Sequence, residues 1–241
     1  VAFLFPGYAV QRELHSMTKI KRIAKVNSLL AIPFLSILLV GCSQNMNSVG
    51  KTFKLAFVGQ DDTHVTAKQV ANTPYASAYL KVGKAPQAFV VLAFAEQNQL
   101  KWIGADKNMV ATQHGRLVKT QGFGEDITYV DNLQQDPLTL GLLKASTPMT
   151  WQSRVEWAQV FRGGYETRSV FLARGKETVK ILDTSRELLR FDEQVTVPAL
   201  NESYTNSYWL DPTNGNVIQS QQYMGPDMAL VKFTVLKPYV Q

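Results

Sequence analysis

The sequence predicts a mainly β protein: a single domain of antiparallel meandering strands forming a curved or barrel-like sheet, with one or two short helices. Two observations carry this. Hydrophobic residues make up 45% and charged residues 18% of the chain, which is apolar enough to build a packed core. From residue 52 onward the apolar residues fall in short β-branched and aromatic runs, separated by Gly, Pro, Asn or Asp, as strands joined by tight turns require. No block recurs at a fixed period, which argues against a solenoid or propeller.

In the first half the strand-like runs are Thr52–Val58, Ala78–Val82, Gln87–Phe94, Leu100–Ile103, Asn108–Thr112 and Arg116–Lys119. In the second half they are Met149–Gln159, Tyr165–Ala173, Glu177–Leu182, Gln194–Val197, Asn206–Leu210, Val217–Met224 and Ala229–Leu236. Asp211-Pro-Thr-Asn-Gly215 reads as a hairpin connection, because Pro presets φ near −65° and Gly accepts positive φ. His114-Gly115 reads the same way. A helix is expected over Asp136–Lys144, with Asp as N-cap, Pro at the first helical position and Lys at the end. Ser185–Arg190 reads as a further helical turn or two.

The net charge of +6 is unevenly placed. Arg12, Lys19, Lys21, Arg22 and Lys25 face a single acidic residue, Glu13, so +4 of it lies before residue 26. The basic segment Met17–Lys25 precedes the apolar run Leu29–Val40, which is short for a membrane span and contains Pro33. Leu39-Val-Gly-Cys42 then resembles the lipobox of bacterial lipoproteins, whose cysteine is acylated and becomes the new N-terminus. Residues 17–41 are therefore read as a lipoprotein signal peptide, 42–51 as a lipidated tether beginning at Cys42, and 52–241 as the β-rich domain. Residues 1–16 fit no part of this and are read as a mis-assigned upstream extension, with Met17 the initiator. Ser43 in place of Asp implies, by the sorting rule of such lipoproteins, the outer membrane, with the domain facing the periplasm.

One cysteine excludes an internal disulfide framework and a Cys-rich zinc site, and His15, His64 and His114 are too few for a His-built centre. No cofactor or metal is expected. Nucleic acid is not an expected partner, since most of the basic charge belongs to the export signal.

Pro74-Tyr-Ala-Ser-Ala-Tyr-Leu80, Pro86-Gln-Ala-Phe-Val-Val-Leu92, Gln99-Leu-Lys-Trp102, His114-Gly-Arg-Leu-Val-Lys-Thr120, Tyr208-Trp-Leu-Asp-Pro-Thr-Asn-Gly215, Ser220-Gln-Gln222 and Leu236-Lys-Pro-Tyr239 resemble the YjbF/GfcB family of bacterial lipoproteins. The resemblance implies a barrel-like β domain encoded in operons for group 4 capsule or extracellular polysaccharide. It also implies partners among the other proteins of such operons, including an outer-membrane β-barrel, with the polysaccharide itself as a further contact. It brings no catalytic residue with it.

Individual motifs add little chemistry. Asp61-Asp62 with His64 could hold a cation or act in acid–base catalysis, but reads better as a solvated turn. Glu96, Asp106, Glu125 and Asp126 are nominal glycosidase carboxylates. Gly122-Phe-Gly-Glu125 lacks the context of a phosphate loop, and no Gly-x-Ser-x-Gly occurs. Aromatic residues beside polar ones, Trp157, Arg162 and Tyr165 in one group and Tyr204, Tyr208 and Trp209 in another, are the candidate glycan contacts, with core packing as the competing reading. The leading expectation is a non-enzymatic outer-membrane lipoprotein assisting polysaccharide export or assembly. A β-sheet carrier for an acyl chain or glycolipid, and a polysaccharide hydrolase or lyase, stay open beside it.

Overall fold

The computed structural model describes residues 61–158 and 164–240, all within the compact unit Gln44–Gln241. Cys42, the tether, the strand expected at Thr52–Val58, and Arg162 lie outside the described residues.

Twelve antiparallel strands form one sheet: β1 (Ser77–Val82), β2 (Ala88–Glu96), β3 (Gln99–Ile103), β4 (Met109–Gln113), β5 (Arg116–Gln121), β6 (Ile127–Val130), β7 (Thr150–Trp157), β8 (Tyr165–Ile181), β9 (Thr184–Val197), β10 (Glu202–Leu210), β11 (Val217–Tyr223) and β12 (Leu230–Lys237). The order across the sheet is β5-β4-β3-β2-β1-β12-β11-β10-β9-β8-β7-β6. The first and last strands therefore pair with each other, Tyr79 opposite Thr234 and Leu80 opposite Phe233. The expected barrel-like meander is present. Among the described residues its one unpaired joint lies between β5 and β6, which are consecutive in the chain.

Strict up-and-down order sorts the connections. Those after even-numbered strands gather at one end of the barrel, here the upper end, together with the C-terminus. Those after odd-numbered strands gather at the lower end.

Two short helices attach to the sheet. α1 (Ala67–Asn72) opens on a capping box: Gln69 N–H donates to Thr66 Oγ1 (3.2 Å) and Thr66 N–H donates to Gln69 Oε1 (2.8 Å). It lays Val70 on the outer face of β2, against Phe89 and Val91. α2 is the expected helix, with Asp136 accepting from Leu138 N–H (3.1 Å) and Pro137 at its first position, but it spans only Pro137–Leu140. Gly141, at φ 98°, ends it before Lys144.

Other expectations change. Ser185–Arg190 is strand within β9, because its cross-strand pairing to Gly175–Lys180 of β8 outweighs a weak local helical preference. Tyr165–Ala173 and Glu177–Ile181 are one strand, β8, with a register shift between Ala173 and Gly175, and the expected Leu182 falls in the turn that follows. The bulged hairpin tip reaches across the upper end, where Leu182 packs on the outer cluster of Val70, Phe89 and Val91. β8 and β9 therefore arch over the barrel mouth.

The interior is filled. Ala78, Leu80, Val90, Leu92, Trp102, Val110, Trp151, Trp157 and Phe233 belong to one cluster; Leu138, Leu142, Phe171, Phe191, Tyr208 and Leu210 form a second toward the upper end. Trp102 meets Phe233 edge-on at 5.2 Å and donates to Thr112 Oγ1 (3.0 Å).

At the β4–β5 turn, Gly115 has φ +88°, and a Cβ there would lie 2.4 Å from Val217. Gly124 in the β5–β6 loop has φ +89°, but a Cβ there would meet nothing within 4 Å. Gly115→Ala should therefore cost about 2–3 kcal/mol, combining left-handed strain with overpacking, and Gly124→Ala only about 1 kcal/mol. Urea unfolding midpoints of the two variants check this; equal losses would mean that the Val217 contact relaxes freely.

Candidate functional site

Side-chain alternation places a polar layer inside the barrel. Along β8 the inward residues run Tyr165, Thr167, Ser169, Phe171; along β9, Phe191, Glu193, Val195, Val197; along β10, Tyr204, Asn206, Tyr208, Leu210. On each strand the polar positions lie between the two apolar clusters. Ser153 of β7 completes the layer by bonding Thr167, 2.7 Å between hydroxyls.

Arg116, at the start of β5, enters this layer. It forms a two-pronged pair with Asp136, through Nε to Oδ2 and through Nη2 to Oδ1 (3.0 Å). It grips Glu193 through Nη2 to Oε1 (3.0 Å) and Nη1 to Oε2 (3.1 Å). Its guanidinium lies 4.3 Å from the centroid of the Trp151 ring. The Arg116 side chain is 7% exposed, and Asp136 and Glu193 are 0% exposed. Glu193 also accepts from Asn206 Nδ2 (3.0 Å) and from the Tyr208 hydroxyl (2.9 Å).

Burial by itself would raise the Glu193 carboxyl, but the Arg116 charge and the hydrogen bonds outweigh it and hold the group below the usual glutamate range. Burial would likewise lower Arg116; Asp136 and Glu193 reverse this and keep it firmly charged. The Tyr208 hydroxyl is pushed well up, chiefly by burial, and stays protonated.

The same network closes the joint between β5 and β6. Arg116 belongs to β5, whereas Asp136 follows β6 and caps α2, so the ion pair ties the two sides together. The Gln222 amide takes the role of a missing strand, accepting from Leu117 N–H (2.9 Å) and donating to Gly115 C=O (2.9 Å). At the lower end, Asp126 accepts from Thr120 Oγ1 (2.8 Å) and Gly122 N–H (2.9 Å), and Ile127 N–H donates to Thr120 Oγ1 (2.9 Å).

Beside this network the cavity measures about 30 Å³, room for a water molecule and not for a sugar ring. Both carboxylates are engaged by the guanidinium that lies between them. The arrangement holds walls together and leaves neither carboxylate free for acid–base work.

The sequence-predicted glycan contacts fall differently. Trp157 (4% exposed), Tyr165 (8%), Tyr208 (0%) and Trp209 (4%) are buried, so their rings pack and do not offer faces to a sugar. Trp157 and Tyr165 meet at 5.3 Å near the lower end, with Trp157 Nε1 donating to Met224 C=O (2.7 Å). Tyr204 is half-buried against Tyr223, 6.1 Å between ring centroids. Trp209 lies on the outer face beneath the Arg190 guanidinium, at 5.2 Å. Large rings at inward strand positions fill a small barrel, and that demand wins.

Asp62 holds Lys81 (2.9 Å) and Gln87 N–H (2.7 Å), the backbone bond above all lowering its carboxyl; this is a loop clasp, with His64 outside it. Glu96 pairs with Lys101. Asp106 and Glu125 are exposed. Among the described residues no three of His, Cys, Asp and Glu gather as metal ligands.

At the upper end, below the β8–β9 arch, lies a groove of about 840 Å³. Its walls are the β2–β3 and β4–β5 turns, α2 with the turn after it, the β10–β11 turn, and the C-terminal residues Leu236, Pro238 and Tyr239. Two of its charged groups, Arg186 and Asp211, face each other at 2.8 Å.

The fold and site define a nearly closed up-and-down β-barrel with a packed, charge-pinned interior and a large groove at its mouth. The model of the family described as "Group 4 capsule polysaccharide lipoprotein gfcB, YjbF" matches residues 50–236, and the chain belongs to this family. It is 36% identical over 208 residues to the uncharacterized lipoprotein YjbF of Escherichia coli K12, covering 86% of this chain and 96% of that one. To the uncharacterized lipoprotein GfcB of the same strain it is 31% identical over 211 residues, covering 87% and 98%. The crystal structure of the hypothetical lipoprotein YmcC from Escherichia coli K12 matches with a TM-score of 0.67 and 32% identity, over 73% of this chain and 91% of that one.

Arg116→Met would strand two buried carboxylates and should lower stability by about 3–5 kcal/mol in chemical unfolding. The triple change Arg116→Met, Asp136→Asn, Glu193→Gln removes the stranded charge and should recover part of that loss; no recovery would show that the ion pair is not the cause. Because the folded Glu193 carboxyl lies below its unfolded value near 4.3, its contribution is complete above about pH 5 and is lost as pH falls below the unfolded value and through the folded one. Thermal midpoints should therefore drop on acidification below about pH 4, and less steeply in Glu193→Gln.

Proposed function

We propose that the protein is an outer-membrane lipoprotein, anchored through Cys42 and facing the periplasm, that assists export or assembly of a capsule or extracellular polysaccharide without catalysing a reaction. The observation that carries this reading is membership of the capsule polysaccharide lipoprotein family over residues 50–236. Supporting it, the ionisable groups buried in the barrel interior are paired with one another, as befits a rigid body that works by contact. The export-type N-terminus, with its basic segment, apolar run and Gly41-Cys42, supports the lipid anchor. Two or more acyl chains on Cys42 would hold the domain stably at a membrane.

The contacts fall to the outer surface and the groove, with other proteins of the export machinery and the polysaccharide as partners.

Deleting the gene should reduce surface polysaccharide in amount or chain length under inducing conditions, measured on cell-surface extracts by gel and uronic-acid assay. Cys42→Ala should stop incorporation of labelled palmitate, move the protein out of the outer-membrane fraction, and fail to complement. Unchanged polysaccharide in the deletion strain would sink the reading.

A further inference from the structure

The groove at the barrel mouth differs in chemistry from the rest of the molecule. Inside the barrel, the charged groups engage one another. In the groove, the side chains of Asn98, His114, Lys144, Asn216 and Tyr239 make no hydrogen bond or ion pair among the described residues. The Thr139 hydroxyl of α2 lies beneath the groove wall, buried and without a partner among the described residues, as are Ser77 Oγ and Trp209 Nε1 elsewhere.

These groups converge from four separate connections and the C-terminus. Strict strand alternation delivers all of them to one end of the barrel. The charges that could repel a polar ligand are neutralised within the wall, Arg186 by Asp211 and Glu96 by Lys101. What stays open includes the carboxamides of Gln97, Asn98, Gln99 and Asn216, the His114 imidazole, the Lys144 ammonium and the Tyr239 ring, 42% exposed. Carboxamides both donate and accept, matching vicinal hydroxyls, and a tyrosine ring can lie against the C–H face of a pyranose. A volume of 840 Å³ suits a ligand of several rings, and the lining alternates these polar groups with apolar side chains such as Leu138, Leu143 and Val217, as the two kinds of face of a pyranose ring require.

We propose that this groove binds a short hydroxyl-rich stretch of saccharide chain. The inference rests on the polysaccharide reading above and specifies the surface that would serve it. Lys144 accommodates one acidic substituent in the bound stretch. From the β8–β9 hairpin, which packs Leu182 on the outer cluster, Arg186 joins the lining.

The test uses the full chain purified in detergent, probed with size-fractionated oligosaccharides released by mild acid from the polysaccharide that the producing cells export. Saturation-transfer NMR and titration calorimetry should detect binding. Asn216→Ala combined with Tyr239→Ala should weaken it at least tenfold, while Arg168→Ala on exposed β8 should leave it unchanged. Both variants must keep the wild-type thermal midpoint within a few degrees; if the double variant does not, Lys144→Ala with Asn98→Ala replaces it.

Absence of binding, or binding insensitive to the groove variants, overturns the proposal. So does displacement of a fluorescent fatty acid from the groove in place of saccharide binding. Complementation separates this failure from failure of the functional reading. A double variant that restores surface polysaccharide fully in the deletion strain removes the groove's role and keeps the export role. A deletion without phenotype removes the export role.

Discussion

The ion pairs of Arg116 with Asp136 and Glu193 are the constraint around which the barrel is organised. A barrel closed by backbone pairing on every side would not need them. Here β5 and β6 leave one joint unpaired, and a guanidinium buried to 7% exposure holds β5, the segment after β6, and β9 across the interior at once. Burying three charges gains little net stability over a well-packed apolar core, because desolvation offsets most of the attraction. What the network supplies is uniqueness: with the joint slipped by one residue, Arg116 would leave both carboxylates and the carboxylates would have no other cation near them.

The surrounding residues follow from that choice. Asn206, Tyr208 and Gln222 satisfy the remaining polar atoms, and the Trp151 face covers the guanidinium. Apolar clusters lie above and below the layer. α2 is fixed because its N-cap is one of the carboxylates, so the wall of the groove is positioned by the same charge that closes the barrel.

Much of the sheet was legible because a short β-branched or aromatic run bounded by turn residues is a local signal. The runs at Ala78–Val82, Gln87–Phe94 and Asn206–Leu210 each declare a strand without reference to the others, and Asp211–Gly215 declares its turn. The continuous strand β9 was not legible across Ser185–Arg190, since its conformation is set by pairing with β8. β6 was missed because four residues with exposed Thr128 and Tyr129 carry too little alternation. The ionic layer was missed for another reason: Arg116 and Glu193 lie 77 positions apart, and each alone reads as a solvated face. The usable signal was parity, since Glu193 shares its side with Phe191, Val195 and Val197. The aromatic candidates were misplaced for the same reason. Trp157, Tyr165 and Tyr208 share parity with core residues, whereas the groove draws on turn residues that alternation does not address.

The pairing of β1 with β12 has a consequence in time as well as in space. The backbone zipper that closes the barrel joins the first described strand to the last, Val82 opposite Val231 and Ser77 opposite Lys237. The loosely paired joint, by contrast, joins neighbours in the chain. Long-range closure pays its loop entropy before any contact rewards it, so the native state cannot form until the final strand is available. A chain threaded through a membrane with its N-terminus first would remain open until its last residues arrived. In such a molecule the order of strands works as a timer that postpones folding to the far side.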